Sequence, residues 1–252
     1  MGKFFVKANQ IENNKIKIIG SDVNHIKNVL RLKIDDDINI CNSDDSKNYI
    51  CAISNISADE VECIILKETE GTSESNVDLT IYQGLPKADK MELIIQKGTE
   101  LGVKKFIPVN FKRCIVKLDG KDEVKKIDRW NKIAEVASKQ SGRDYIPEVK
   151  SVLSLKQMAD EFSSYDLVLL CYEDEKDNFI KNELIKIKEK MDSYKIAVIV
   201  GPEGGIAPEE VDELKKSGAK VVSLGSRILR TETVALMVSS IIMYELENWE
   251  ET

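Results

Sequence analysis

Two glycine-marked turns near the C-terminus constrain this chain more than any other feature. The segments Ile196-Ala-Val-Ile-Val-Gly201-Pro202-Glu203-Gly204-Gly205 and Val221-Val-Ser-Leu224-Gly225-Ser-Arg227-Ile228-Leu229-Arg230-Thr231-Glu232-Thr233 each join an apolar run of strand length to a helical pattern. Strand ends in α/β sheets leave a crevice, and glycine lets the main chain approach a bound molecule closely. A single glycine there is ordinary turn chemistry. The second segment goes further, crowding Arg227, Arg230, Thr231, Glu232 and Thr233 ahead of the apolar helix pattern that starts at Val234. A helix start needs one capping residue, not five polar ones. Together with a third strand-end turn, Leu170-Cys-Tyr172-Glu173, the two segments predict one composite pocket.

From Val77 onward strands and helices alternate. Apolar runs at Leu79-Thr-Ile-Tyr-Gln, Lys105-Phe-Ile-Pro-Val, Asp166-Leu-Val-Leu-Leu-Cys, Ile196-Ala-Val-Ile-Val and Lys220-Val-Val-Ser-Leu are separated by helical stretches at 89–101, 122–141, 177–190 and 208–217. That order predicts an α/β domain with a mostly parallel sheet covered on both faces. The first seventy residues differ, with five short runs of period two, from Phe4-Phe-Val to Val61-Glu-Cys-Ile-Ile-Leu, and one helix over 21–31. They predict a small β-barrel. Residues 69–76, Thr-Glu-Gly-Thr-Ser-Glu-Ser-Asn, have linker composition, so the domains are drawn as 1–72 and 73–252.

Composition narrows the function. No apolar run is long enough to cross a bilayer and no secretory signal opens the chain, so a cytoplasmic protein without a membrane partner is expected. The five cysteines are scattered without a Cys-x-x-Cys pair, and the expectation is buried thiols with no metal site. The lone histidine, His25, sits in the short N-terminal helix, and a hydrolytic triad would have to use it. No phosphate-cradling Gly-x-x-x-x-Gly-Lys motif and no Gly-x-Gly-x-x-Gly turn is present, which disfavours a phosphorylated cofactor. A net charge of −7 argues against a general nucleic-acid binder. The charge is uneven, however: residues 83–150 carry 16 Lys and Arg against 10 Asp and Glu, a net of +6, while 1–75 come to −4 and 151–252 to −8. A basic segment in an acidic chain fits a local RNA footprint or a solvated helix face.

Gly201-Pro-Glu-Gly-Gly followed by Leu224-Gly-Ser-Arg-Ile-Leu-Arg-Thr-Glu-Thr resembles the SPOUT-class RNA methyltransferases, and in particular the ribosomal RNA small subunit methyltransferase E family. Lys97-Gly-Thr-Glu100-Leu-Gly102, Arg129-Trp, Gln140-Ser-Gly-Arg143, Pro147 and His25 with Val29-Leu-Arg31 extend the resemblance over nearly the whole chain. It implies an N-terminal barrel of PUA or OB type and a C-terminal α/β domain tied in a trefoil knot. It also implies S-adenosylmethionine as cofactor, the ring N3 of a uridine in 16S rRNA or the small ribosomal subunit as target, and a homodimer packed through the C-terminal helix region. That helix, from Thr231, is apolar around much of its circumference and is either core or partner-facing.

For this chemistry the cofactor-binding candidates are Leu170, Tyr172, Glu173, Val200, Gly201, Glu203, Gly204, Leu224, Gly225, Ile228, Leu229 and Thr231. Methylating a uracil nitrogen first removes its proton and leaves charge on the flanking carbonyls, which a fixed cation would stabilise. Arg230 is the candidate for that role, with Thr233 a further donor at the helix start. Glu232 is either a general base or the residue that orients Arg230, and Glu203 either touches a ligand or secures its turn. Arg31, Lys87, Lys97, Arg113, Gln140 and Arg143 are the RNA-binding candidates. Two other readings stay open, a non-catalytic RNA-binding or ribosome-assembly protein and a ribose 2′-hydroxyl methyltransferase of the same superfamily.

Overall fold

The computed structural model describes residues 3–71 and 73–248, in two compact units. Thr72, the last residue of the small domain as drawn from sequence, lies outside the described residues. The smaller unit comprises the chain up to Glu74 together with Ser138–Ile146, and the larger one comprises Ser75–Ala137 and the chain from Pro147 onward.

In the smaller unit the strands are β1 (Lys3–Val6), β2 (Ile11–Glu12), β3 (Lys15–Ile19), β4 (Asp37–Asn42), β5 (Asn48–Ile56) and β6 (Glu60–Thr69). They pair in the order β1-β4-β5-β6-β3-β2, antiparallel except for β1 with β4. The two ends of this path, β1 and β2, are joined in sequence by a single helical turn, Ala8–Gln10. So short a link brings the sheet ends together. The predicted barrel is therefore a curled sheet with no ladder between β1 and β2, and register shifts in β5 at Ile50/Cys51 and Ile53/Asn55 help it bend. Alternating residues such as Phe4, Val6, Ile16, Ile18, Ile38, Ile40, Val61 and Cys63 fill its interior. The predicted helix over 21–31 is one α-turn, α1 (Ser21–Asn24), followed by a π-helical stretch His25–Leu30 that stops at Arg31 with φ +56°.

Residues 138–146 join this unit through polar contacts that sequence pattern does not reveal. Asp144 is 1% exposed and its carboxylate takes the Lys3 ammonium and the Ser73 hydroxyl and amide. Burial opposes its ionisation, but these donors outweigh burial and hold the carboxyl below its usual range. Beside it the Arg143 guanidinium meets Glu74 at 2.6 Å.

The larger unit is built on a sheet in which every pairing is parallel. Its strands are β7 (Val77–Gly84), β8 (Lys105–Asn110), β9 (Glu148–Val149), β10 (Leu153–Ser154), β11 (Leu167–Cys171), β12 (Tyr194–Val200) and β13 (Lys220–Val222). The order is β10-β8-β7-β12-β11-β13, with β9 also on β8. Parallel strands are covered on both faces and so carry continuous apolar runs. β11 and β12 comply, each of Leu167–Cys171 and Ile196–Val200 being buried throughout. The connecting helices are α2 (Lys90–Glu100), α3 (Gly120–Ser141), α4 (Leu155–Asp160), α5 (Ile180–Lys188), α6 (Pro208–Lys216) and α7 (Thr231–Leu246). The two-residue strands β9 and β10 and the short α4 are too brief to leave a periodic signal in the sequence.

α7 packs on α2, on α5 and across β7 and β12. It buries Ala235, Val238, Ile242 and Leu246 on one side and leaves Tyr244 75% exposed on the other. Its apolar circumference thus divides into a core face and a free face. Among the described residues no helix is long and apolar enough to cross a membrane, and no metal-binding cluster is found.

Close packing makes one glycine indispensable in the larger unit. A Cβ on Gly98 of α2 would sit 2.7 Å from the ring of Phe106, which is fully buried. Gly98→Val is expected to lower stability by about 1–3 kcal/mol, the usual cost of overpacking, as a shifted urea midpoint without a changed slope.

Candidate active site

The C-terminal ends of β11, β12 and β13 open into a cavity of about 420 Å³ in the larger unit. Cys171, Tyr172 and Glu173 line it after β11, and Val200, Gly201, Pro202, Glu203, Gly205 and Ile206 after β12. The stretch from Ser223 to Thr231 closes it after β13, with Val234 of α7 and Lys90 of α2 completing the wall. Strand termination follows from local sequence in each case. Pro202 lacks the amide that a continuing ladder would need, and Gly225 takes φ +113°, a region other residues rarely adopt. The Gly225 amide is held by the Ser223 hydroxyl at 3.3 Å. Downstream of Gly205, Pro208 and Glu210 start α6, and the buried Glu210 carboxylate receives the amides of Ala207 and Lys112 at 3.1 and 2.8 Å.

Two turns far apart in sequence are fastened to each other beneath the cavity. The Thr231 hydroxyl donates to the Gly201 carbonyl at 2.6 Å and accepts from the Gln83 amide at 2.8 Å. Gln83 is fully buried at the end of β7 and also reaches the carbonyls of Gly84 and Gly201. Next to it, a Cβ on Gly84 would lie 2.6 Å from Pro202, so only glycine permits this approach of β7 to the turn.

The cavity has charge of both signs. Lys90 Nζ stands 2.8 Å from Glu203 Oε1 and 3.5 Å from Glu232 Oε2. Partial burial works against ionisation of Glu203, but Lys90 and the Lys87 amide outweigh it and hold the carboxyl below its usual range. The hydrogen bond to Glu203 in turn raises the Lys90 ammonium above its ordinary value, so both remain charged at neutral pH. Arg230 is the residue preceding α7, is exposed on the cavity wall, and makes no ion pair among the described residues.

Ten of the sequence-predicted cofactor residues line the cavity: Tyr172, Glu173, Val200, Gly201, Glu203, Leu224, Gly225, Ile228, Leu229 and Thr231. Two do not. Leu170 is fully buried in β11 between Ile199 and Val221, one residue too early to reach the strand end. Gly204 faces away, with the space beside its Cα taken by Arg113 at 3.1 Å. Of the catalytic candidates Arg230 lines the cavity, whereas Glu232, 3.5 Å from Lys90, and the exposed Thr233 are outside the lining. Sequence reasoning passed over Gln83 and Gly84, although a glutamine and a glycine closing an apolar strand before Leu85-Pro86 are the same strand-end signal.

The RNA candidates part company. Arg31 and Gln140 are exposed in the smaller unit, but Arg143 is 4% exposed and committed to Glu74. A buried, paired guanidinium positions its own domain and has no face for phosphate. In the larger unit Lys87 and Arg113 are exposed beside the cavity turns, Arg113 donating to the Gly204 carbonyl at 3.2 Å, while Lys97 pairs with Glu100.

An all-parallel α/β unit with its pocket at three strand-end turns, preceded by a curled β-unit, is the arrangement of one class of RNA-modifying enzymes. Residues 73–243 match the family described as an RNA methyltransferase domain, and residues 18–66 match the RNA methyltransferase PUA domain. The chain is 38% identical over 251 residues to the ribosomal RNA small subunit methyltransferase E of Bacillus subtilis, covering 98% of each. Its fold superposes with a TM-score of 0.85 on the crystal structure of a ribosomal RNA small subunit methyltransferase E from Neisseria gonorrhoeae bound to S-adenosyl methionine, at 27% identity and 99% coverage of both chains. A methyltransferase from Legionella pneumophila, solved with the bound cofactor SAM, gives 0.84 at 27% identity and 98% coverage of both. The chain belongs to the ribosomal RNA small subunit methyltransferase E family.

The cross-link under the cavity carries a measurable share of stability. Thr231→Val keeps the side-chain shape but removes the shortest acceptor of the buried Gln83 amide and the hydroxyl that donates to the Gly201 carbonyl. It is expected to cost about 1–3 kcal/mol in urea unfolding.

Proposed function

We propose that the chain transfers a methyl group from S-adenosylmethionine to the ring N3 of a uridine in 16S rRNA, acting on the small ribosomal subunit or its RNA. The observation that carries this is the cavity itself, formed by the very turns whose sequence defines the family and containing an uncommitted arginine. The residues fit the cofactor. Ile206, Leu224 and Leu229 offer apolar walls for an adenine, the strand-end main chain offers donors and acceptors for its edge, and Glu173 brings negative charge suited to a sulfonium. Gly225 lines the cavity with open space beside its Cα, nothing standing within 4 Å of where a Cβ would be, so a side chain there would project from the cavity wall.

Bound there, S-adenosylmethionine supplies an electrophilic methyl: the N3–CH₃ bond forms as the CH₃–S bond breaks, and that electron pair stays on sulfur. The protein's part is to make N3 nucleophilic. Its proton leaves to solvent, and Arg230 donates to a flanking carbonyl oxygen where the charge collects. Thr231 and Gly201 hold the start of α7, and with it Arg230, in place.

Tyr244, 75% exposed on the free face of α7, and Ile228, 89% exposed in the turn before it, support a homodimer built on the α7 region. The trefoil knot that the resemblance implies is assigned to the C-terminal unit on that resemblance. Exposed Arg31 and Gln140 of the smaller unit, with Lys87 and Arg113 of the larger, are the cations and amide assigned to RNA, and the protein is assigned to the cytoplasm where its substrate is made.

Arg230→Ala is expected to lower the turnover number by ~10²–10³ with little change in cofactor affinity. Gly225→Val, which forces a strained φ and projects from the cavity wall, is expected to abolish saturable S-adenosylmethionine binding in isothermal titration. Nucleoside analysis of the product RNA locates the methyl group, and ribose methylation would overturn the N3 assignment.

A further inference from the structure

We propose that Lys90 is a second catalytic cation of this site, donating a hydrogen bond to the anionic uracil, and that Glu203 is its positioning residue. The inference rests on the N3-methylation reading above.

Three observations carry it. First, Lys90 enters the cavity from a different element. The three strand-end turns that make the cofactor cradle contribute most of the lining, whereas Lys90 comes from the start of α2 and keeps 27% of its side chain accessible at the rim. It stands on the side where a second reactant can arrive. Second, it is tethered but not used up. An ammonium has three donors, of which Glu203 takes one at 2.8 Å, and Glu232 stands at a longer 3.5 Å. Glu203 is itself braced by the Lys87 amide at 3.0 Å, so the pair is held from the turn after β12 and from α2 together. Third, the contact with Glu232 brings Lys90 to the start of α7, two residues from Arg230.

Charge chemistry says what the lysine is for. A sulfonium is cationic and would be repelled by an ammonium, so the useful partner of Lys90 is the electron-rich reactant. Loss of the N3 proton to solvent spreads one negative charge over N3 and two flanking carbonyl oxygens. Arg230 and Lys90, both on the cavity wall, supply two cationic donors for two oxygens. The charged groups facing Lys90 are Glu203 and Glu232, and the cavity's remaining ones are Glu173, Arg227 and Arg230. Both carboxylates against it favour the charged ammonium, so it serves as a donor and not as the base.

The test uses the full chain, small-subunit particles and S-adenosylmethionine, with Lys90→Met, Lys90→Arg and Glu203→Gln. Single-turnover methylation is followed against pH, and cofactor affinity by isothermal titration. Lys90→Met should bind the cofactor as wild type does and lose about 10²-fold in rate at neutral pH. The loss should shrink as pH rises, because more of the base then ionises unaided. It should also shrink on RNA carrying 5-fluorouridine, whose ring nitrogen gives up its proton more readily. Lys90→Arg should retain more of the rate, and Glu203→Gln should fall between. A wild-type rate for Lys90→Met overturns the proposal. So does a loss that is equal at every pH and accompanied by weaker, less salt-dependent RNA binding, which would make Lys90 a phosphate contact. A wild-type protein that fails to bind S-adenosylmethionine, or that methylates elsewhere than N3, overturns instead the reading on which the proposal rests.

Discussion

The hydroxyl of Thr231 is the point on which the rest of the site depends. It links the Gly201 carbonyl to the Gln83 amide and so binds together the end of β7, the turn after β12 and the start of α7. Thr231 is 5% exposed and Gln83 fully buried. Where water is excluded, an unmade hydrogen bond costs more than a made one gains, so the three segments have one low-energy register. The cavity inherits that register. Its walls are turns without regular secondary structure, and turns hold a shape only when the structure beneath them does.

The parallel sheet supplies the support. Its inner strands are buried from Leu167 to Cys171 and from Ile196 to Val200, which lets their C-terminal ends sit side by side as a platform of main-chain groups. Space is the second constraint. Gly84 allows β7 to press against Pro202, and Gly225 leaves a hollow where another residue would project. One glycine brings chains together and the other keeps them apart, and both are needed for a cavity bounded by backbone.

Charge is divided between two tasks. Asp144 with Lys3 and Ser73, and Arg143 with Glu74, serve the smaller unit and are largely removed from solvent. Lys90, Glu203 and Arg230 stay accessible on the cavity wall. The net positive charge of residues 83–150 therefore overstates the basic surface, because Arg143 is inside and Lys97, Lys112 and Arg129 face carboxylates.

Sequence pattern by itself determined the longer strands, the main helices and the change of character near residue 75, because burial of continuous or alternating apolar runs is a local property of the chain. It also determined which turns matter, since glycine and proline impose their backbone limits wherever they stand. It could not separate Leu170 from Cys171, or tell that Gly204 turns toward Arg113 while Gly225 opens on the cavity, since one residue of phase decides such things and neighbouring segments set the phase. Nor could it place residues 138–146 with the smaller unit, or show Arg143 to be a buried partner of Glu74. Only the tertiary structure decided the partners of Gln83, Thr231 and Lys90, which lie 148, 30 and 113 residues away. A hydrogen bond or ion pair across such a separation is an outcome of how the chain packs, and no local pattern encodes it.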